Sequence, residues 1–193
     1  MKKFQLAFLM VLFAGSAYAQ FEDTKFVVGG AIDYNTDAST NASSLGIRPS
    51  FAKTIKANAL IGISGGFYTT VSKSDNSSSK NTNNLFNAGV YYQRFHGIAG
   101  DIFFNWQVLA GMSFMNQEGN SSSYDGKGYD FSLLPGLSWK VMDKLILNAS
   151  LGGASYSYQT NDSKSPGYSN SNKMSHLNIR FNNPQFGFTY LIK

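Results

Sequence analysis

An all-β chain closed as an eight-stranded antiparallel up-and-down transmembrane β-barrel is the fold class this sequence predicts, and three observations predict it. Apolar residues alternate with small or polar ones, the period of a strand, in eight successive segments. Long polar connections alternate with short turns between those segments. The face opposite each apolar row is small, hydrogen-bonding and nearly uncharged.

The chain opens with MKKFQLAFLMVLFAGSAYAQ, which has Lys2 and Lys3, an apolar run from Phe4 to Ala14, and Ala17-Tyr18-Ala19 before Gln20. These are the three parts of a secretory signal, so residues 1–19 are expected to be a cleaved signal peptide and 20–193 the barrel domain. The run is shorter than the roughly 18 apolar residues that a membrane-spanning helix needs. No Cys follows the site, which excludes a lipid-anchored lipoprotein. Removing Lys2 and Lys3 takes the formal charge from +5 to +3, too mild for nucleic acid as a partner. With 0 Cys there is no disulfide scaffold, thiolate nucleophile or Cys-based metal site. Charged residues make up 14% of the chain, against roughly 25% in soluble domains. Aromatics at 15%, 19 Gly and 4 Pro complete a bias toward strands that face something other than water.

The first segment, KFVVGGAIDYN, aligns Phe26, Val28, Ile32 and Tyr34 on one face. SLGIRPSFA aligns Leu45, Ile47, Pro49 and Phe51, and NALIGISGGFY aligns Ile61, Ile63 and Phe67. NLFNAGVYYQRF gives Phe86, Ala88, Val90 and Tyr92, while DIFFNWQVLAGMSFM gives a row from Ile102 to Phe114. YDFSLLPGLSWKV places Tyr129, Phe131, Leu133, Pro135, Leu137 and Trp139 together. LILNASLGGASYSY gives Leu145, Leu147, Ala149 and Leu151, and the eighth segment begins with Leu177, Ile179 and Phe181. Each run is long enough to cross a bilayer on a tilt, which takes roughly 9 to 11 residues.

DASTNAS, VSKSDNSSSKNT, QEGNSSSYDGKG and TNDSKSPGYSNSNK are the long connections, expected to be four flexible, solvated extracellular loops. Short turns near KTIKA, HGIAG and MDK separate the other strands. Short turns at one end and long loops at the other are the wiring of bacterial outer-membrane barrels.

Alternation alone does not say which face is inside. The second face carries Gly29, Ala31, Asp33, Gly46, Arg48, Ser50, Gly62, Ser64, Asn105, Gln107, Asn148 and similar residues. A water-facing wall would be studded with Lys and Glu, so this set suits a crowded lumen, which eight strands just fill with side chains. The apolar rows then face lipid. Tyr34, Phe67 and Phe114 toward the long loops, and Phe51, Phe95, Trp139 and Tyr190 toward the short turns, are expected to form two aromatic girdles.

The closing stretch NIRFNNPQFGFTYLIK shifts its outward row from odd positions through Phe181 to even positions from Phe186. A bulge across Asn182-Asn183-Pro184 accounts for the shift and tolerates the missing proline N–H.

GISGGFYTT after a short turn, LLPGLSWKVMDKLILNASLGGASYSY and the final FGFTYLIK carry a resemblance. On these residues the chain resembles the small eight-stranded outer-membrane β-barrel family, OmpA- and OmpX-like, in the form of the Bacteroidetes-type outer membrane protein beta-barrel domain. The resemblance implies the outer membrane of a Gram-negative bacterium, contact with outer-membrane lipid and lipopolysaccharide, and insertion by the barrel assembly machinery. Phe186, Phe188, Tyr190 and Ile192 are similar to that machinery's aromatic signal, with Ile192 and Lys193 in place of the usual terminal aromatic.

Asp33, Arg48 and Arg180 point inward on this register, with Asp33 expected between both arginines in a structural lumen ion network. A gated ion path is the alternative use of the same charges. Asp130 and Lys140 are further inward charges on strand six. His96 is expected in a solvated turn, and His176 near the serines at the top of strand eight. No catalytic, cofactor-binding or metal residue is assigned. The leading expectation is a non-enzymatic barrel with a filled lumen and a structural or surface-contact role, its extracellular ligand unspecified. A narrow pore for ions or very small solutes ranks second, and a lipid-modifying enzyme third.

Overall fold

The computed structural model describes residues 24–37, 41–73, 80–118, 123–165, 168–180 and 185–193. The segment expected to be a signal peptide, Phe181, the bulge expected over Asn182-Asn183-Pro184 and the tips of the long connections lie outside these residues. Ten strand segments are described. They are β1 (Phe26–Asp37), β2 (Ala42–Lys56), β3 (Ala59–Lys73), β4 (Lys80–Ala99), β5 (Ile102–Glu118), β6 (Ser123–Met142), β7 (Leu145–Ser150), β8 (Gly153–Ser165), β9 (Tyr168–Arg180) and β10 (Gln185–Ile192).

These ten segments make eight walls. β7 and β8 both pair with β6, through Gly136↔Ser150 and Leu133↔Ala154, and are successive parts of one wall. β9 pairs with β8 and β10 with β7, which makes the final wall. Every pairing is antiparallel, and β1 meets β10 from Phe26↔Ile192 to Ile32↔Phe186. That contact closes the barrel and leaves the last strand with a neighbour on each side.

The strands outrun their apolar rows. β4 and β6 each run for 20 residues, so much of the polar sequence expected as loop is paired β-hairpin. The ladders reach Lys73↔Lys80, Glu118↔Ser123 and Ser165↔Tyr168. Ser, Thr and Asn continue a ladder whenever neighbouring backbone is already in place; what they lack is the alternation that marks a face against lipid.

Each of the three short turns carries one extra residue on the incoming strand. The register shifts across Thr54/Lys56, Gly97/Ala99 and Lys140/Met142, leaving Ile55, Ile98 and Val141 as the inserted residues. The middle turn is Gly100-Asp101, a few residues beyond its expected place, and His96 belongs to β4.

A second phase shift lies in the seventh wall, where the sequence leads one to expect a single unbroken row. Two residues of β6, Leu134 and Pro135, face three of the partner wall, residues 151–153. Above the shift the outward row passes to Ala154, Tyr156 and Tyr158, in register with Leu133, Phe131 and Tyr129. Gly152 takes φ 93° there. Pro135 is tolerated mid-wall because its carbonyl accepts from Leu151 N at 3.0 Å, so its missing N–H points at the irregular position.

The interior has two layers. At the short-turn end Val27, Ala52, Leu60, Phe95, Phe103, Ile146 and Leu191, one from each of seven walls, form a buried apolar cluster joined by Tyr91. Phe95 therefore belongs to the core and not to a girdle: the outward row of β4 is even-numbered and Phe95 is 1% exposed. Burying a side chain of this size contributes about 1.5–3 kcal/mol. Sequence reading expects this end of the lumen to be polar, and it is lined by apolar side chains. The exterior is the reverse of a soluble protein: Ile32 and Ile63 are each 60% exposed, Trp139 56% and Phe67 51%.

Candidate functional site

Above the apolar layer the lumen is stitched by two hydrogen-bonded networks. The lower is a belt of neutral groups. Gln93 Nε2 donates to Asn105 Oδ1 at 3.3 Å, and Asn105 Nδ2 donates to Ser138 Oγ at 2.6 Å. Ser138 Oγ donates to Asn148 Oδ1 at 2.7 Å, and Asn148 Nδ2 to Thr189 Oγ1 at 2.8 Å. The belt runs through β4, β5, β6, β7 and β10. All members sit on inward positions: Ser138 pairs directly with Asn148, and the other three links are diagonal, two residues off the ladder pairing.

The upper network is centred on Arg48. Its Nη2 contacts Asp33 Oδ2 at 3.2 Å, the Tyr68 hydroxyl at 2.6 Å and Gln185 Oε1 at 3.2 Å; its Nε donates to the same hydroxyl at 2.9 Å. Four walls, β3, β2, β1 and β10, meet at one guanidinium. Gly46 makes room for the Tyr68 ring, with which a Cβ at that position would collide. Together the two networks touch all eight walls and share β10.

The residues expected as an ion network are placed as follows. Asp33 and Arg48 form an ion pair, with side chains 14% and 15% exposed. Arg48, not Asp33, is the hub, because a planar guanidinium offers several donors where a carboxylate only accepts. Arg180 ends β9 opposite Gly153, and its side chain lies outside the described residues. Tyr68 and Gln185 are partners that sequence reading misses. Their inward positions follow from strand parity, but their convergence on Arg48 needs the register across four walls. Lys140 answers Asp143 at 3.7 Å, a nearby turn residue whose side chain is fully exposed. A cavity of about 90 Å³ lies between the networks, lined by Arg48, Gln107, Asn148, Ser150 and Gln185 among others.

Apart from Phe95, the residues expected in the girdles face outward: Tyr34 is 70% exposed, and Phe51, Phe114 and Tyr190 are each 45% exposed. Phe67, Phe86, Phe114 and Lys127 fall in one ladder row around the long-hairpin end. Phe186, Phe188, Tyr190 and Ile192 form the outward row of β10 between β1 and β7. His96 is buried and not solvated; its Nε2 accepts from the Trp106 indole N–H at 3.4 Å.

One row has the residue types of hydrolytic chemistry. Asp130 pairs with Ser157 and Ser157 with His176, all on inward positions of β6, β8 and β9. A nucleophile relay needs the imidazole between hydroxyl and carboxylate. Here the hydroxyl is central, and the Asp130 and His176 backbones stand two strand spacings apart, roughly 9.6 Å. Among the described residues no group of three His, Cys, Asp or Glu is placed to hold a metal ion.

Eight antiparallel walls, a filled lumen and an apolar exterior define a class: single-chain β-barrels that cross a membrane on their strands. Among solved structures the chain is similar to Neisserial surface protein A, with 12% sequence identity, a TM-score of 0.50, and 86% of this chain and 96% of that one covered. It also aligns with a major outer membrane protein of Thermus thermophilus at 9% identity and TM-score 0.48, covering 89% of this chain and 100% of that one. The attachment invasion locus protein Ail of Yersinia pestis aligns at 13% identity and TM-score 0.37, covering 87% and 93%. The likeness to the Neisserial protein is one of fold. No family model and no curated protein matches the chain.

Proposed function

We propose that this chain is a non-enzymatic outer-membrane barrel of a Gram-negative bacterium, with a filled lumen and a structural or surface-contact role carried by the four hairpins at its long end. One observation carries the reading: an apolar layer lies beneath an amide and hydroxyl belt that links five strands. A solute crossing the lumen would have to break buried hydrogen bonds and then enter an apolar layer that offers few replacement partners, which costs several kcal/mol per polar group. The order of Asp130, Ser157 and His176 supports the non-enzymatic part. The exposed aromatic and aliphatic rows support contact with outer-membrane lipid and lipopolysaccharide. The outward row of β10, Phe186, Phe188, Tyr190 and Ile192, is the proposed recognition signal for the barrel assembly machinery. In this reading the short turns face the periplasm and the long hairpins the exterior.

The mature chain refolded into a planar bilayer is expected to leave the conductance at baseline. Steady unitary currents that change on Arg48→Ala would replace this reading with a narrow pore. A lipid A profile altered by deleting the gene would replace it with a lipid-modifying enzyme.

A further inference from the structure

The outer surface of the barrel is not evenly charged at its short-turn end. On β2 and β4, Lys53, Lys56 and Arg94 are exposed. Strand parity points all three outward, because their chain neighbours Ala52, Gln93 and Phe95 are buried in the lumen and Ile55 is the inserted residue before Lys56. Ladder pairing makes them neighbours: Lys56 pairs with Ala59, Ala59 pairs with Arg94, and Lys53 pairs with Ile61 one step up.

Ala59 is outward-facing by parity with its inward neighbour Leu60, yet it is 0% exposed. Its two ladder partners are the side chains placed to cover it, and long cationic residues lay their stems over apolar surface while their heads seek a polar partner. The backbones of Lys56 and Arg94 stand two strand spacings apart, roughly 9.6 Å, so both heads can close on one tetrahedral anion. On the far side of Arg94 its ladder partner Trp106 packs against Tyr92 with ring centroids 5.3 Å apart. The indole N–H is directed to His96, so its donor is already engaged.

Among the described residues the ion pairs are Arg48–Asp33 in the lumen and Lys140–Asp143 at another turn; neither involves these three cations. Within the strand rows the patch is also one-sided; the other exposed cations of this end, Lys25, Lys144 and Lys193, lie outside the strands. On the outward rows of β5, β6, β7 and β10 the same end shows Ile102, Trp139, Leu147, Phe188 and Tyr190 and no Lys or Arg. Ile61 lies beside Lys53, and Phe51 and Ile63 lie one step above, exposed apolar surface that continues the lipid-facing band.

We infer that Lys53, Lys56 and Arg94 form a seat for the phosphate of an anionic phospholipid in the leaflet at the short-turn end, with acyl chains along Phe51, Ile61 and Ile63. This rests on the outer-membrane reading above, in which that leaflet is the periplasmic one. A head group with net negative charge complements three cations without a protein carboxylate, and an attached hydrocarbon chain fits the adjoining apolar rows. A water-soluble phosphate would use only half of the surface.

The test is native mass spectrometry of the refolded mature chain released from phosphatidylcholine bicelles doped with phosphatidylglycerol. Wild type is expected to retain phosphatidylglycerol over phosphatidylcholine. Retention should fall at least about tenfold in Lys56→Gln/Arg94→Gln, since each cation near an anionic lipid surface contributes about 1 kcal/mol and 1.4 kcal/mol is tenfold. The charge-conserving Lys56→Arg/Arg94→Lys variant should keep most of it, and Lys173→Gln at the opposite end should keep all of it. Equal retention by wild type and the doubly neutral variant overturns the seat, as does an equal loss in Lys173→Gln. Both outcomes leave the outer-membrane reading standing. A mature chain that stays out of the bicelles overturns both.

Discussion

Arg48 on β2 meets Asp33 on β1 through a single contact of 3.2 Å while bonding twice to Tyr68, at 2.9 and 2.6 Å. The ion pair is thus one arm of a four-wall junction. Both charges are largely shielded, and removing one partner of a buried pair is more damaging than removing both. Arg48→Gln is expected to lower unfolding stability in lipid vesicles by about 3 kcal/mol. Asp33→Asn/Arg48→Gln should recover much of that loss in urea titrations. A double variant as unstable as Arg48→Gln alone would show that Asp33 has another partner.

Ser138 is the middle of the neutral belt, accepting from Asn105 and donating to Asn148. Ser138→Ala deletes both links at a position that is 1% exposed, and strands two amides. The expected cost is about 1–3 kcal/mol, read as a shift of the urea midpoint with an unchanged slope. An unshifted midpoint would mean that the amides find other partners.

Ile63 separates the two possible solvents for the outer face. It is 60% exposed on β3. Facing hydrocarbon, Ile63→Lys should cost about 2–4 kcal/mol and reduce insertion into vesicles. Facing water, the same change would be neutral and improve solubility. The second result would remove the membrane from the account altogether.

Gly152, at φ 93°, occupies backbone that side chains disfavour. Gly152→Ala is expected to destabilise the barrel by about 1–2 kcal/mol, whereas Gly65→Ala should cost less, because its added Cβ would meet only the Asn87 carbonyl at 3.7 Å. Equal effects at both sites would argue that the shift in the seventh wall relaxes without strain.

The parts that are legible in the sequence depend on solvent. A residue against lipid must be apolar whatever its neighbours are, so the rows from Phe26 to Tyr34 and from Ile102 to Phe114 announce both strand and face. Polar hairpin arms such as 80–83 and 171–175 carry no such constraint, and read as loops in the sequence although they are paired. Sequence reading misplaces His96 and Phe95 for a related reason. One residue of error at the turn after β4 exchanges lumen, lipid and water as their surroundings.

Alternation determined the barrel and the number of its walls, and the composition of the opposite face added the direction its apolar rows take, because period-two patterning is a local property that each strand must satisfy alone. Tertiary structure decided the contents: Tyr68 and Gln185 around Arg48, the belt through Ser138, the apolar layer around Phe95, and the cations gathered about Ala59. These groupings join residues from three or more walls. Their composition follows from register and closure, which are set by the whole ladder and left no mark in any one segment.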